Sequence, residues 1–340
     1  MGNILFICGS LNQTTQMHKI SRYLMKDHDC YFTPYYGDGI IDIIARAGWL
    51  NFTVLGGRHK RETEEYLHLH NLNIDRRGEG RLYDLVVTCS DLLIQNNIRG
   101  NRMMLVQEGI TEPERGMYHL VKWLKLPRYL ANTSTSGLSH EYDIFCVASE
   151  GYAKLFIRKG VHEEKIAVTG IPNFDNFETA HNNQFQFKGY VLAATSPLRE
   201  TFRPDDRRAF IRKCNSLAAG RSLIFKLHPL ENAKRAAREI RENAPGAIIF
   251  AHGDINHMIA NADVVITQQS TCTFVAIGLG KETHTNLNVE ELKQLMPIQN
   301  EGTSAEHISK ICNQLLHTSL EVLKARRKQL SLKRNPADAF

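Results

Sequence analysis

Short, wholly apolar runs alternate with longer amphipathic stretches along this chain, and that rhythm constrains its fold more than any single motif. A strand covered on both faces reads as an unbroken apolar run, and helix-length segments between such strands make βα units and a parallel sheet. In the first half the runs predict strands at Ile4–Cys8, Cys30–Phe32, Phe52–Leu55, Leu85–Thr88, Met104–Val106, Ile144–Val147 and Ile166–Val168, with Thr15–Met25 as the first crossover helix. A second series predicts strands at Tyr190–Ala194, Ser222–Lys226, Ala247–Phe250 and Val264–Thr267, separated by helical stretches such as Asp205–Ala219 and Asn232–Asn243. Between the two series, around Pro172 to Lys188, the chain turns polar and reads as a linker. Helical periodicity from about Ser304 to Lys328 suggests a segment that packs back across the domain joint.

Two series fit the length, since 340 residues is about twice a typical single domain. Hydrophobic residues at 42% and charged residues at 23% leave no reason for disorder. A net charge of +6 suits a phosphorylated ligand or an anionic surface and falls short of a nucleic-acid signature, so no nucleic-acid partner is expected. The densest positive run is Lys324, Arg326, Arg327, Lys328, Lys333 and Arg334. It reads as a solvated helix end, with peripheral contact to anionic inner-membrane lipid as the alternative. Seven scattered cysteines without a CxxC pair indicate reduced thiols. With no leader-like start and no bilayer-length apolar run, the expected address is cytoplasmic.

Open parallel sheets bind ligands outside the carboxyl ends of their strands, so the loops after the strands are the informative places. After the first strand, Gly9-Ser10-Leu11-Asn12-Gln13-Thr14-Thr15 leads into a helix and could hold an anion or a sugar hydroxyl; a tight turn with an N-cap explains it equally well. After Met104–Val106, Gln107-Glu108-Gly109 puts a carboxylate where a general base could take a proton from a sugar hydroxyl, or where it simply caps the loop. In the second half, Thr195 and Ser196 could meet phosphate oxygens together with the planar fork of Arg199, unless that arginine pairs with Glu200. Pro229 biases His228 to an extended backbone and presents its imidazole at a strand tip, where Lys226 could add charge toward a leaving phosphate. Finally Gln268-Gln269-Ser270-Thr271 precedes the helical run Phe274–Leu279 and offers amides and hydroxyls to an anion, a task a divalent metal would otherwise perform. No HExxH, Cys/His cluster, GxGxxG, P-loop lysine or GxSxG occurs, so no metal and no cofactor are expected.

Taken together these loops resemble those of the GT-B superfamily, which includes nucleotide-sugar glycosyltransferases, CDP-glycerol glycerophosphotransferases and UDP-GlcNAc 2-epimerases. Lys165-Ile-Ala-Val-Thr-Gly-Ile-Pro-Asn-Phe-Asp175 looks like the segment that joins the halves in that group, and Asn261-Ala-Asp-Val-Val-Ile-Thr267 with Gly278-Leu-Gly-Lys281 looks like its donor-binding region. Gln107-Glu108-Gly109, His228-Pro229 and Ser270-Thr271 are similar to the three-part signature of bacterial sialyltransferases, polysialyltransferases and capsule Kdo transferases. The first acidic position of the sialyltransferase motif is Gln107 here. In those families the acid is the base, His-Pro contacts a cytidine nucleotide and the hydroxyl pair contacts its phosphate.

The resemblance implies an α/β GT-B fold, two Rossmann-like domains whose parallel sheets face a central cleft. Residues 1–176 would form the acceptor domain, 177–325 the nucleotide-donor domain and 326–340 a basic tail. It implies a metal-independent, inverting glycosyltransferase that moves a sugar or polyol phosphate from a nucleotide-activated donor such as CMP-Kdo to a glycan or glycolipid acceptor in bacterial surface polysaccharide synthesis. Glu108 would be the base. Thr195, Ser196, Arg199, Lys226, His228, Pro229, Gln269, Ser270 and Thr271 would hold the donor, and Gly9, Ser10, Gln107 and Gly109 would line the acceptor loops. The rivals are an epimerase, whose His-Arg-x-Glu-Asn and Asp-Ser-Gly-Gly motifs are replaced here by Pro197-Leu-Arg-Glu-Thr201 and Gln269-Ser-Thr-Cys-Thr-Phe274, and a non-catalytic sugar-nucleotide-binding protein.

Overall fold

The computed structural model describes residues 1–333, and the basic tail beyond Lys333, Arg334 included, lies outside them. The chain forms two compact units, residues 1–175 with the segment from 297 onward, and residues 176–296. In the first unit six parallel strands run β1 (Asn3–Cys8), β2 (Asp29–Pro34), β3 (Leu85–Thr88), β4 (Arg102–Val106), β5 (Ile144–Val147) and β6 (Ile166–Val168). Their order across the sheet is β2-β1-β3-β4-β5-β6. In the second unit the parallel strands are β7 (Tyr190–Ala194), β8 (Leu223–Lys226), β9 (Ile248–Phe250), β10 (Ala262–Thr267) and β11 (Glu282–His284), in the order β11-β10-β7-β8-β9. Successive strands leave β1 in opposite directions, toward β2 and then β3, and leave β7 likewise toward β8 and β10. Each unit therefore has a switch point where loops diverge and leave room for a ligand.

Helices cover both faces, which is why β3, β7 and β8 are buried at every residue and read as plain apolar runs. Phe52–Leu55 shows the ambiguity of such runs, because it forms turns and not a strand. Gly56 and Gly57 close that turn, and at Gly57, with φ of +57°, a Cβ would lie 2.0 Å from the Asn51 carbonyl oxygen. Strand β11, Glu-Thr-His, carries no apolar signature because it is an edge strand, paired only with β10. The first helix begins at Leu11, not Thr15, because Ser10 caps it and accepts the Gln13 N–H. Gly278 sits where a Cβ would press to 2.2 Å from the Phe177 ring, so the glycine is needed for packing inside the second unit.

The units divide between Asp175 and Asn176, one residue before the division expected from the sequence, and the stretch to 325 does not stay with the second unit. From Pro297 the chain belongs to the first, as two helices, Ser304–His317 and Leu320–Leu332, broken at Thr318 and Ser319. Ala305, Ile308, Cys312 and Leu315 repeat at helical spacing and join Ile4, Phe6 and Met104 in one core. The C-terminal cations are in part tied down by this packing. Arg327 clamps the Asp143 carboxylate with Nε and Nη2 at 2.6 and 2.5 Å, Arg326 donates to the Glu164 carbonyl and Lys333 pairs with the Glu164 carboxylate. A wholly solvated or lipid-facing run is thus not what the described residues form.

Replacing Ile308, fully buried, by Ala should cost about 2–5 kcal/mol in urea unfolding, whereas the exposed Leu332→Ala should stay within about 0.5 kcal/mol. Near the same core, burial holds the His140 imidazole down at about 4, with the Lys165 ammonium adding to the effect. Its folded value lies below its unfolded value of about 6.5, so the unfolded chain binds the extra proton, and stability should fall as pH drops from about 6.5 toward 4. His140→Asn keeps a residue that tolerates the left-handed φ of +58° and should flatten that slope in unfolding free energy measured across the window.

Candidate functional site

In the first unit the turn after β1 reaches over the end of β3 to the loop after β4, and Glu108 is where they meet. Ser10 Oγ donates to Glu108 Oε1 at 2.8 Å while accepting the Gln13 N–H, and Gln13 Nε2 donates to Oε2 at 2.6 Å. Asn12 Nδ2 adds a longer contact of 3.4 Å to Oε1 and 3.3 Å to the Glu108 carbonyl. Asn173 holds the turn in turn, its amide donating to the Asn12 carbonyl and to Thr15 Oγ1. Charge-assisted hydrogen bonds of this kind are each worth about 1.5–3 kcal/mol, so the carboxylate has a fixed geometry while Glu108 stays partly exposed. The helix Gly57–Leu69 flanks the turn: Thr63 Oγ1 donates to the Gly9 carbonyl, and His59 lies one turn earlier on the same face. Burial pushes the His59 imidazole below its ordinary value while the charges of Glu62 and then Glu108 pull it back up.

Gln107 is not a surface of the acceptor loop. It is buried, its Oε1 accepts the Ala148 N–H and its Nε2 donates to the Gly109 carbonyl, so it ties β4 to the loop beyond β5 and shapes the Glu108 turn from beneath. Asp91, in the loop after β3, is fully buried, with oxygens that accept from Arg128 and from the Gly137 and Ser139 N–H groups.

The second unit gathers its polar residues at the ends of β7, β8 and β10. The Thr195 hydroxyl donates to the Glu231 carboxylate and accepts the His228 N–H at 3.0 Å, and Glu231 Oε2 accepts that same N–H at 2.8 Å. Arg207 lies 2.7 Å from Glu231 Oε1, and burial nonetheless raises the Glu231 carboxyl above its usual range. His228 Nδ1 accepts the Leu230 N–H at 3.1 Å, which leaves Nε2 as the ring nitrogen that carries a proton and can donate. Ser196 and Gln269 lie side by side, the Ser196 hydroxyl at 3.4 Å from the Gln269 carbonyl, and Ser270 and Thr271 follow at the start of the helix Cys272–Gly278. Thr195, Ser196, His228 and Gln269 therefore form one hydrogen-bonded rim.

Two expected donor residues point elsewhere. Arg199 is held bidentately by Glu239 at 2.8 and 2.7 Å and lies 3.4 Å from Asp205, a pairing that raises its pKa, so its fork is occupied; Glu200 pairs with Arg235 instead. Lys226 is buried and donates to the Leu227 and Ala251 carbonyls. The arginine beside the rim is Arg203, whose Nη1 donates to Gln269 Oε1 at 3.1 Å and whose pKa burial lowers. Gln268 Oε1, just past the end of β10, and Arg207 Nη1, at the start of the helix Arg207–Ala218, are buried without a hydrogen-bond partner, the condition of groups that a ligand or water completes.

Asn12 and Gln13 stand in the loop read from the sequence as a possible anion or sugar-hydroxyl site, but their contacts with Glu108 were not foreseen, and Asn173, His59 and Arg203 were not read as site residues. Only Gln13 carried a signal, since Ser10-x-x-Gln13 has the spacing of a capping box, although here the glutamine reaches Glu108 and not the Ser10 N–H. Among the described residues, no group of three or more His, Cys, Asp and Glu is placed to hold a metal ion.

Two units with parallel sheets of this order define an α/β fold of the GT-B type, and solved structures share it. UDP-GlcNAc 2-epimerase from Methanocaldococcus jannaschii, in complex with UDP-GlcNAc and UDP, aligns over 92% of this chain and 99% of its own with a TM-score of 0.56 and 15% identity. The Neisseria meningitidis UDP-GlcNAc 2-epimerase bound to UDP-GlcNAc aligns over 92% and 100% with a TM-score of 0.56 and 10% identity. S. aureus MnaA, solved with UDP, aligns over 99% and 92% with a TM-score of 0.55 and 14% identity. These likenesses establish the fold. No protein-family profile matches the sequence, and no curated protein matches it in sequence comparison.

Gly9 is the residue that lets Gln13 reach Glu108, since a Cβ there would lie 2.1 Å from Gln13 Oε1. Because the clash is with the end of a flexible side chain, Gly9→Ala should leave the thermal midpoint within a few degrees but swing Gln13 away. Turnover in Gly9→Ala and Gln13→Ala should then fall by a similar factor, measured on the same substrate.

Proposed function

We propose that this chain is a transferase acting on a pyrimidine-nucleotide-activated sugar, with the nucleotide phosphate held in the second unit and the acceptor hydroxyl activated by Glu108 in the first. The observation that carries the reading is the Glu108 carboxylate at the end of β4, fixed by Ser10, Asn12 and Gln13 and still partly open. In the mechanism Glu108 takes the acceptor proton as the acceptor oxygen attacks the sugar carbon and the bond to the phosphate oxygen breaks. His228 Nε2, with the hydroxyls of Ser270 and Thr271, supplies hydrogen bonds to the departing phosphate. Attack from the face opposite the leaving phosphate inverts that carbon and needs no covalent enzyme intermediate. The acceptor is a glycan or glycolipid in this reading. Arg207 Nη1, a cationic donor without a hydrogen-bond partner, supports an anionic ligand at the rim.

Epimerisation is the second reading, favoured by the fold likeness to three solved structures of which two are named UDP-GlcNAc 2-epimerases. Inverting a C–H centre requires a proton to leave one face and one to arrive on the other. Of the two acids at the ends of β3 and β4, Asp91 is sealed by its partners and only Glu108 is placed to exchange protons, which favours transfer.

Glu108→Gln should lower turnover at least about a hundredfold and leave nucleotide affinity within a factor of about two, whereas His228→Ala should weaken nucleotide binding about tenfold or more. Proton NMR of UDP-GlcNAc and CMP-sugars incubated with the enzyme in D2O separates the two readings. Transfer expects nucleotide release that depends on an added acceptor and no deuterium on the sugar ring, while deuterium at C2 of UDP-GlcNAc would establish the epimerase.

A further inference from the structure

The helix Gly116–Leu124, which follows the Glu108 loop, buries only Tyr118 and Val121. Its outward side is apolar: Met117, Leu120 and Leu124 repeat at helical spacing with Trp123 beside them, and Trp123 is 80% exposed. Lys122 and Lys125 are exposed alongside. From Gly116 to His140 the chain has no Asp or Glu at all. At the same carboxyl end of the sheet, the helix Gly39–Arg46 that follows β2 buries none of its side chains and exposes Ile40 and Ile43. A soluble surface rarely leaves such residues grouped without something to cover them.

The composition of the patch says what covers it. Protein interfaces are depleted in lysine at their centre, whereas a helix that lies in a membrane interface combines tryptophan and leucine with lysines that reach the headgroups. We propose that this face of the first unit docks on an anionic lipid surface, with Leu120, Trp123 and Leu124 entering the headgroup and acyl boundary and Lys122 and Lys125 contacting lipid phosphates. Of the C-terminal cations, Arg327 and Lys333 are paired with Asp143 and Glu164. The inference does not depend on the chemistry assigned to Glu108, but it places that carboxylate's loop next to the membrane and so matches an acceptor carried on lipid.

The test uses the full chain and sedimentation with vesicles, either pure phosphatidylcholine or phosphatidylcholine with phosphatidylglycerol. The wild type should sediment with the phosphatidylglycerol vesicles and lose that binding as salt rises. Leu120→Ser with Trp123→Ser should abolish it, and Lys122→Glu or Lys125→Glu should weaken it by at least about fivefold each. All four side chains are exposed, so unchanged thermal midpoints show that the variants are folded. Trp49→Phe leaves Trp123 as the single tryptophan, whose emission should shift to the blue on binding. Absence of sedimentation overturns the proposal, as does sedimentation that the variants leave intact. So does light scattering that finds a wild-type dimer split to monomer by Leu120→Ser with Trp123→Ser, since that assigns the face to a second copy of the chain.

Discussion

Everything assigned to the first unit depends on the carboxylate of Glu108 being held by the turn after β1. A glutamate side chain at the mouth of a sheet is mobile by default, and three rotatable bonds would spread it over many positions. Ser10 and Gln13, with a longer contact from Asn12, remove that freedom, and Gly9 is the backbone position that leaves them room. Loop positions of this kind are set by the strands beneath them, so the sheet order decides which two turns meet. Gln107, one residue earlier, faces the interior and anchors the loop, so two consecutive polar residues serve opposite purposes.

In the second unit a buried charged network holds the His228 backbone and the neighbouring hydroxyl in place. Buried Glu231 fixes the His228 backbone and the Thr195 hydroxyl, and Arg207 balances its charge. Arg199 and Asp205 extend the same network to Glu239. Isolated buried charges cost several kcal/mol, on the order of the stability of a whole domain, and pairing offsets that cost only if the geometry is kept. The network is thus rigid support beneath a polar rim, and Arg203 is the cation next to that rim.

How much of this was legible in the sequence follows from burial. Leu85–Thr88, Ile144–Val147 and Tyr190–Ala194 were read to the residue because strands covered on both faces must be apolar throughout. Edge strand β11 has no such requirement and was invisible, while the apolar Phe52–Leu55 was misread because glycines, not hydrophobicity, decide its turns. Glu108 and His228 were visible as polar residues directly after strands. The occupation of Arg199 was not, because its partner Glu239 is 40 positions away and only the fold brings them together. The same holds for Asn173, whose amide reaches a turn 161 positions earlier.

The central claim is that the rim formed by Thr195, Ser196, His228 and Gln269, with Ser270 and Thr271, is a nucleotide site. The most direct measurement is a thermal-shift titration of the purified chain with UMP, UDP, CMP and CDP, in the wild type and in Ser270→Ala with Thr271→Val. The account expects at least one of the four nucleotides to raise the wild-type midpoint in a concentration-dependent way and the double variant to lose most of that rise. A midpoint unmoved by all four, or a rise that survives in the double variant, would contradict it.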